Sequence, residues 1–175
     1  MKRSILKWEL FGILFISLIG SSFHFVFQWS GELPVVGVFV AVNESVFEHL
    51  KMTFWPFLLW AAIEYRYIKN TAHNFIIAKT AGLYVMPVAI IVLFYSYTTI
   101  TGTESLAADI AIFVVAVALG QFTSYKILTR ESLSRQLHRA AIAGMISLGV
   151  VYAVFTFYPL HVPFFQDPVG GGYGI

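Results

Sequence analysis

Five stretches of the chain are predominantly apolar for about twenty residues or more, at about 5–27, 44–67, 73–98, 105–127 and 139–158, with short polar connections between them. A helix needs roughly 20 residues to cross the ~30 Å hydrocarbon core, and a segment in lipid must satisfy its own backbone hydrogen bonds. The pattern therefore predicts five transmembrane helices. The first run follows "MKR" but lacks a small-residue cleavage pattern, so it is expected as a retained span. A sixth apolar stretch, "LPVVGVFVAV" at 33–42, is about half the required length and contains Pro34 and Gly37. It is expected to be interfacial or re-entrant. Pro56 and Pro87 fall inside spans, where each removes a donor and frees a carbonyl one turn earlier, at Met52 and Leu83. Small residues at helix-packing spacing, Ser17 with Ser21 and Ala140 with Gly144, suit close contact between spans.

Composition supports a membrane protein. Hydrophobic residues make up 58% of the 175, aromatics 17% and charged residues 11%, and the mean hydropathy is +0.78; a soluble domain has about 25% charged residues. The expected fold is an all-α, polytopic membrane helix bundle forming one domain over 1–175. The net charge of +2 carries no groove-reading motif, so nucleic acid is not an expected partner. Cysteine is absent, which removes disulfides, thiolate metal sites and cysteine nucleophiles together.

Lys and Arg set the orientation. Lys2, Arg3 and Lys7 precede the first span, Arg66 and Lys69 lie after the second, and Lys126, Arg130, Arg135 and Arg139 surround the connection between the fourth and fifth. The connections at 28–43 and 98–105 and the tail after 158 contain neither residue type. The N-terminus is expected in the cytoplasm and the C-terminus outside, in a bacterial cytoplasmic membrane. The Pro- and Gly-rich tail, 159–175, cannot continue as a sixth helix.

Candidate chemistry then sorts by side. "VNESVFEHLKMTFWP" at 42–56 places Glu44, Glu48, His49 and Lys51 at the outer end of the second span. Asn43 suits an N-cap and Glu44 the first turn. At 100° per residue, Glu44, Glu48, Lys51 and Trp55 share one face and His49 points away from Glu48. Glu48 and Lys51 are expected to pair, while His49 looks toward another helix. An outer pocket of Asn43, Glu44, Glu48, His49, Lys51, Asp109 and Asp167 follows, since ionisable residues within spans face a cavity or the bundle interior. His24, His49 and His161 are the candidate ligands for a divalent metal, with carboxylates nearby. Toward the inner side, Glu64 and Lys79 lie at similar depth and are expected to form an ion pair. No "HExxH", P-loop, dinucleotide or "GxSxG" pattern is present.

In "FHFVFQWSGELPVVGVFVAVNESVFEHLKMTFWP" and the ending "HVPFFQDPVGGGYGI", the chain resembles a family of small bacterial membrane proteins, domain of unknown function 6512. The likeness runs over most of the chain. It implies a compact polytopic protein, links the "NES…EHLK" word to the tail, and supplies no activity. Phe47 stands where the family usually has Trp, an aromatic exchange that leaves this reading intact.

Three functions fit the sequence. The first is binding or transport of a small polar solute or cation in the outer pocket. The second is a membrane-embedded hydrolase acting on a lipid-linked substrate, with a metal at His24, His49 and His161 and Glu48 as catalytic base. The third is an accessory or structural subunit within a homo- or hetero-oligomer.

Overall fold

The computed structural model describes residues 2–175. Six helices follow one another: α1 (Lys2–Trp29), the short α2 (Pro34–Gly37), α3 (Val46–Ile68), α4 (Phe75–Thr101), α5 (Leu106–Leu128) and α6 (Arg135–Phe157), then a 3-10 turn at Pro163–Phe165. The described residues contain no strand, only one isolated bridge in the tail between Gln166 and Tyr173. The five long helices match the five apolar runs, with ends moved by a few residues.

Four of them, α1, α4, α5 and α6, are long and apolar enough to cross a membrane. α3 is as long as α5 but carries Glu48, Lys51, Glu64 and Arg66, which leaves only the 12 residues from Met52 to Ile63 free of charge. Its place in the bundle explains this composition. Phe47, Leu50, Phe54, Phe57 and Trp60 of α3 form the middle of the main core, where they meet Ile16 of α1, Leu83 and Met86 of α4, Val117 of α5 and Tyr152 of α6. α3 is the central helix: Glu48, Lys51 and Glu64 are buried against other helices and the first loop, while Arg66 near its end is exposed. The outer helices turn apolar side chains outward instead: Phe11, Leu14 and Leu18 on α1, Val88 and Val92 on α4, Ile146 and Val150 on α6 are all exposed. An apolar exterior around a core that holds ion pairs suits a bundle whose solvent is lipid.

Close backbone contacts hold the helices together. A Cβ on Gly82 of α4 would lie 2.9 Å from the Gly120 carbonyl oxygen of α5, and one on Gly120 would lie 3.1 Å from that of Gly82. The two backbones approach as only glycines allow. Gly20 of α1 likewise faces the Met52 carbonyl, which Pro56 leaves without its helical donor. α6 docks on α4 through Ala141 and Gly144, whose carbonyls accept from the Thr80 hydroxyl (3.1 Å) and the Tyr84 hydroxyl (3.0 Å).

The helix start at 45 differs from the sequence expectation. Ser45, not Asn43, caps α3, its hydroxyl accepting from the Glu48 amide. Asn43 braces that turn by accepting from the Ser45 amide at 3.0 Å. Glu44 consequently lies before the helix rather than on its face.

The segment at 33–42 is helical only at Pro34–Gly37 and then folds inward. The Val38 carbonyl accepts from the Trp55 indole at 3.0 Å. The tail lies against the bundle as well: Phe165 is in the core, and the Ile175 amide donates to the Thr156 carbonyl at 3.0 Å.

Candidate functional site

The end of the bundle that carries the 33–42 segment and the tail contains two adjoining polar groups of different character. The first is sealed. Lys51 and Glu48 pair at 2.5 Å, both essentially without solvent contact. Lys51 also donates to the Gly37 carbonyl and the Thr156 hydroxyl, each at 2.7 Å, while Glu48 accepts from the Val42 amide at 3.0 Å. Every one of these partners comes from the first loop or from α6. The pair thus ties α3 to two other parts of the chain, and the ammonium is left with no free direction toward a ligand.

The second group is half-exposed. His24 Nε2 of α1 lies 3.3 Å from Glu44 Oε1, and His49 Nε2 of α3 lies 3.5 Å from Glu44 Oε2. The two imidazole rings sit 5.4 Å apart, centre to centre. His49 Nδ1 is 2.8 Å from the Ser45 carbonyl oxygen. A carbonyl only accepts, so Nδ1 carries the proton, and in the neutral ring Nε2 presents a lone pair to the Glu44 carboxylate. Two acceptors facing one another need a cation or a proton between them.

When the His49 ring is protonated at both nitrogens, its Nε2–H donates to Glu44 and holds that carboxyl below the usual carboxylate range; partial burial opposes this, and the nearby His24 adds to it. One ligand atom from each of His24, Glu44 and His49 lies within 4.8 Å of the others. Donors bound at ~2.1 Å around a tetrahedral zinc lie roughly 3.4 Å apart. The two imidazole–carboxylate separations are of that order, each histidine facing a different oxygen of Glu44. A polar cavity of about 240 Å³ opens beside the group, lined by His24, Asn43, Glu44 and Asp167 among others.

The remaining sequence candidates go elsewhere. His161 does not join the histidine pair; its ring packs edge-on against Tyr173 at 4.7 Å. Asp109, in the first turn of α5, accepts from the hydroxyl of Tyr97 near the end of α4 at 2.6 Å. Asp167 lines the cavity, and one of its oxygens accepts from the Val169 amide at 3.0 Å. Asn43 reaches the tail at the Gly174 carbonyl, 3.4 Å away. Glu44 proves to be the carboxylate that gathers both imidazoles, because the helix start at Val46 frees it from the face of Glu48.

At the opposite end, Glu64 and Lys79 form the expected ion pair. Lys79 also binds Glu9 of α1 at 2.8 Å. Glu9 escaped the sequence reading, although the signal was present: it falls in the buried stripe of α1 with Ile5, Gly12, Ile16 and Gly20.

A family model matches residues 1–175 in full. The chain belongs to the family of unknown function DUF6512. No curated protein and no solved structure matches it. In this DUF6512 chain, the assignment of chemistry therefore rests on the arrangement of His24, Glu44 and His49.

Proposed function

We propose that the protein is a multi-pass membrane protein that binds a divalent transition-metal cation of the zinc or iron class at the outer face of a bacterial cytoplasmic membrane. His24, Glu44 and His49 are the ligands, and the adjoining cavity admits water or a small solute as the fourth. The observation that carries this reading is the hydrogen bond from His49 Nδ1 to the Ser45 carbonyl. It fixes the tautomer and aims a lone pair at the site, the arrangement in which metal-binding histidines are held. Two imidazoles and one carboxylate suit zinc or iron and disfavour calcium or magnesium, which take oxygen ligands.

In this reading α3 is the fifth span, shielded from lipid by its neighbours, with the N-terminus inside and the tail outside. The positions of the basic residues support that orientation.

Binding is favoured over hydrolysis because Glu48, the candidate base, is committed to Lys51 and the Val42 amide. Equilibrium dialysis of the purified protein against zinc is the test. One tightly held zinc per chain is expected, and replacing Glu44→Gln or His49→Ala should abolish it while Glu48→Gln leaves it. Absence of zinc, iron and manganese binding by the intact protein would reduce the cluster to a proton-bridged ion pair.

A further inference from the structure

A different group of residues, outside the proposed metal site, carries a second inference. Glu9 of α1, Glu64 of α3 and Lys79 of α4 meet in the half of the bundle nearest the start of α1, and each is at most 1% exposed. Lys79 Nζ contacts Glu64 Oε2 and lies 2.8 Å from Glu9 Oε1. Glu9 Oε1 also accepts from the Ser124 hydroxyl of α5 at 2.7 Å. The Phe57 and Phe75 rings sit over the ammonium at 5.5 and 5.3 Å.

α5 contributes only neutral groups, Gln121 and Ser124. The basic residues nearest along these helices, Lys7, Arg66 and Lys126, are exposed. Two carboxyls therefore face one ammonium with no second cation. Fully ionised, the cluster would carry a net negative charge out of reach of water, a costly state in a low-dielectric interior.

The unsatisfied atoms point the same way. The carboxyl oxygens Glu9 Oε2 and Glu64 Oε1 are buried without a hydrogen-bond partner, as is Oε1 of Gln121, whose amide lies near the equally unpartnered Trp60 indole N–H. The amide of Gln121 is held against α1 by its bond to the Glu9 carbonyl at 3.2 Å. All three unsatisfied oxygens are acceptors when the carboxyls are ionised. One proton on either carboxyl cancels the excess charge and converts one acceptor into a donor. A metal cation does the first of these only, and it would meet the repulsion of Lys79.

We propose that Glu9 and Glu64 share one exchangeable proton beside Lys79, so that this end of the bundle is a proton-binding site. The two carboxyls titrate as a unit, and the proton belongs to the pair rather than to either residue. Loaded, the cluster is neutral; unloaded, it carries a net charge of −1 that the neighbouring helices must accommodate.

Infrared difference spectroscopy of the full-length protein in lipid vesicles tests this directly. The wild type at neutral pH should display about one carboxylic-acid C=O band per chain, which moves in D2O and disappears as pH is raised. Glu9→Gln or Glu64→Gln leaves one carboxylate facing one ammonium and should remove the band. Lys79→Met should double it, and Glu48→Gln should leave it unchanged. Absence of the band from the wild type at neutral pH would overturn the proposal without need of any variant. So would a band that survives Glu9→Gln and Glu64→Gln but is lost in Glu48→Gln. Neither result depends on zinc, so this site and the metal site stand or fall separately.

Discussion

His49 and Lys51 lie two residues apart on α3 and meet opposite fates. The helix turns Lys51 inward to Glu48, Gly37 and Thr156, whereas His49 faces α1 and the loop. Losing one member of a buried pair leaves the other charge without a partner, which costs about 3–5 kcal/mol, and removing both relieves that penalty. Glu48→Gln and Lys51→Met should therefore each lower the unfolding midpoint more than the double variant does. Strict additivity in a detergent melting series would contradict the pairing.

At His49 the expected readout is zinc affinity. Outer-shell partners of metal ligands are worth 10–100-fold in affinity, so loss of a ligand itself in His49→Ala should weaken zinc by more than about 100-fold with little change in melting. Affinity should also fall as pH drops from neutral into the mildly acidic window, because protons compete with the metal for both imidazole Nε2 lone pairs, at up to about tenfold per ring per pH unit. Glu44, held below the usual carboxylate range, stays ionised through that window and does not steepen the fall. Isothermal titration with zinc from neutral to mildly acidic pH checks the slope.

At the level of helices, packing is carried by small residues that bring backbones together. Replacing Gly82→Ala would put a methyl 2.9 Å from the Gly120 carbonyl oxygen, where only backbone movement could make room. Overpacking of this kind costs about 1–3 kcal/mol. Gly149→Ala makes its nearest contact at 3.2 Å with the Phe54 ring and should cost less. Thermal melts of the two variants in the same detergent compare them directly.

The helices themselves were legible because hydropathy over twenty residues reports a one-dimensional property of the chain. The start of α3 was less so: the sequence points to Asn43 as the cap, and the cap at Ser45 moves Glu44 from the Glu48 face to the histidines. The glycine contacts between α4 and α5 could not be read from one sequence, since they depend on which helices become neighbours. The same holds for Glu9, whose stripe on α1 was visible while its partners on α3, α4 and α5 were not.

Over the whole molecule, the eleven Lys and Arg residues divide cleanly. Lys51 and Lys79 are consumed in buried ion pairs, and all the others lie at the ends of the helices where α1, α4 and α6 begin and α3 and α5 finish. The expected pairing of the second span's start with the tail is met in space, through Asn43 with Gly174 and through the cavity shared by Glu44 and Asp167, whereas His161 turns to Tyr173. A sequence places residues on a side of the membrane; it does not bring them within bonding distance.

The side itself can be measured, because a chain without cysteine gives no background to a thiol reagent. Thr103 is exposed beyond α4 and Lys69 is exposed just after α3, at opposite ends of the bundle. Thr103 is preferable to Gly102, whose φ of 69° would strain any side chain. In intact cells, Thr103→Cys should react with a membrane-impermeant maleimide, and Lys69→Cys should react only after the membrane is opened. The reverse pattern would turn the bundle over and place the His24, Glu44 and His49 cluster in the cytoplasm, where a different pool of metal would supply it.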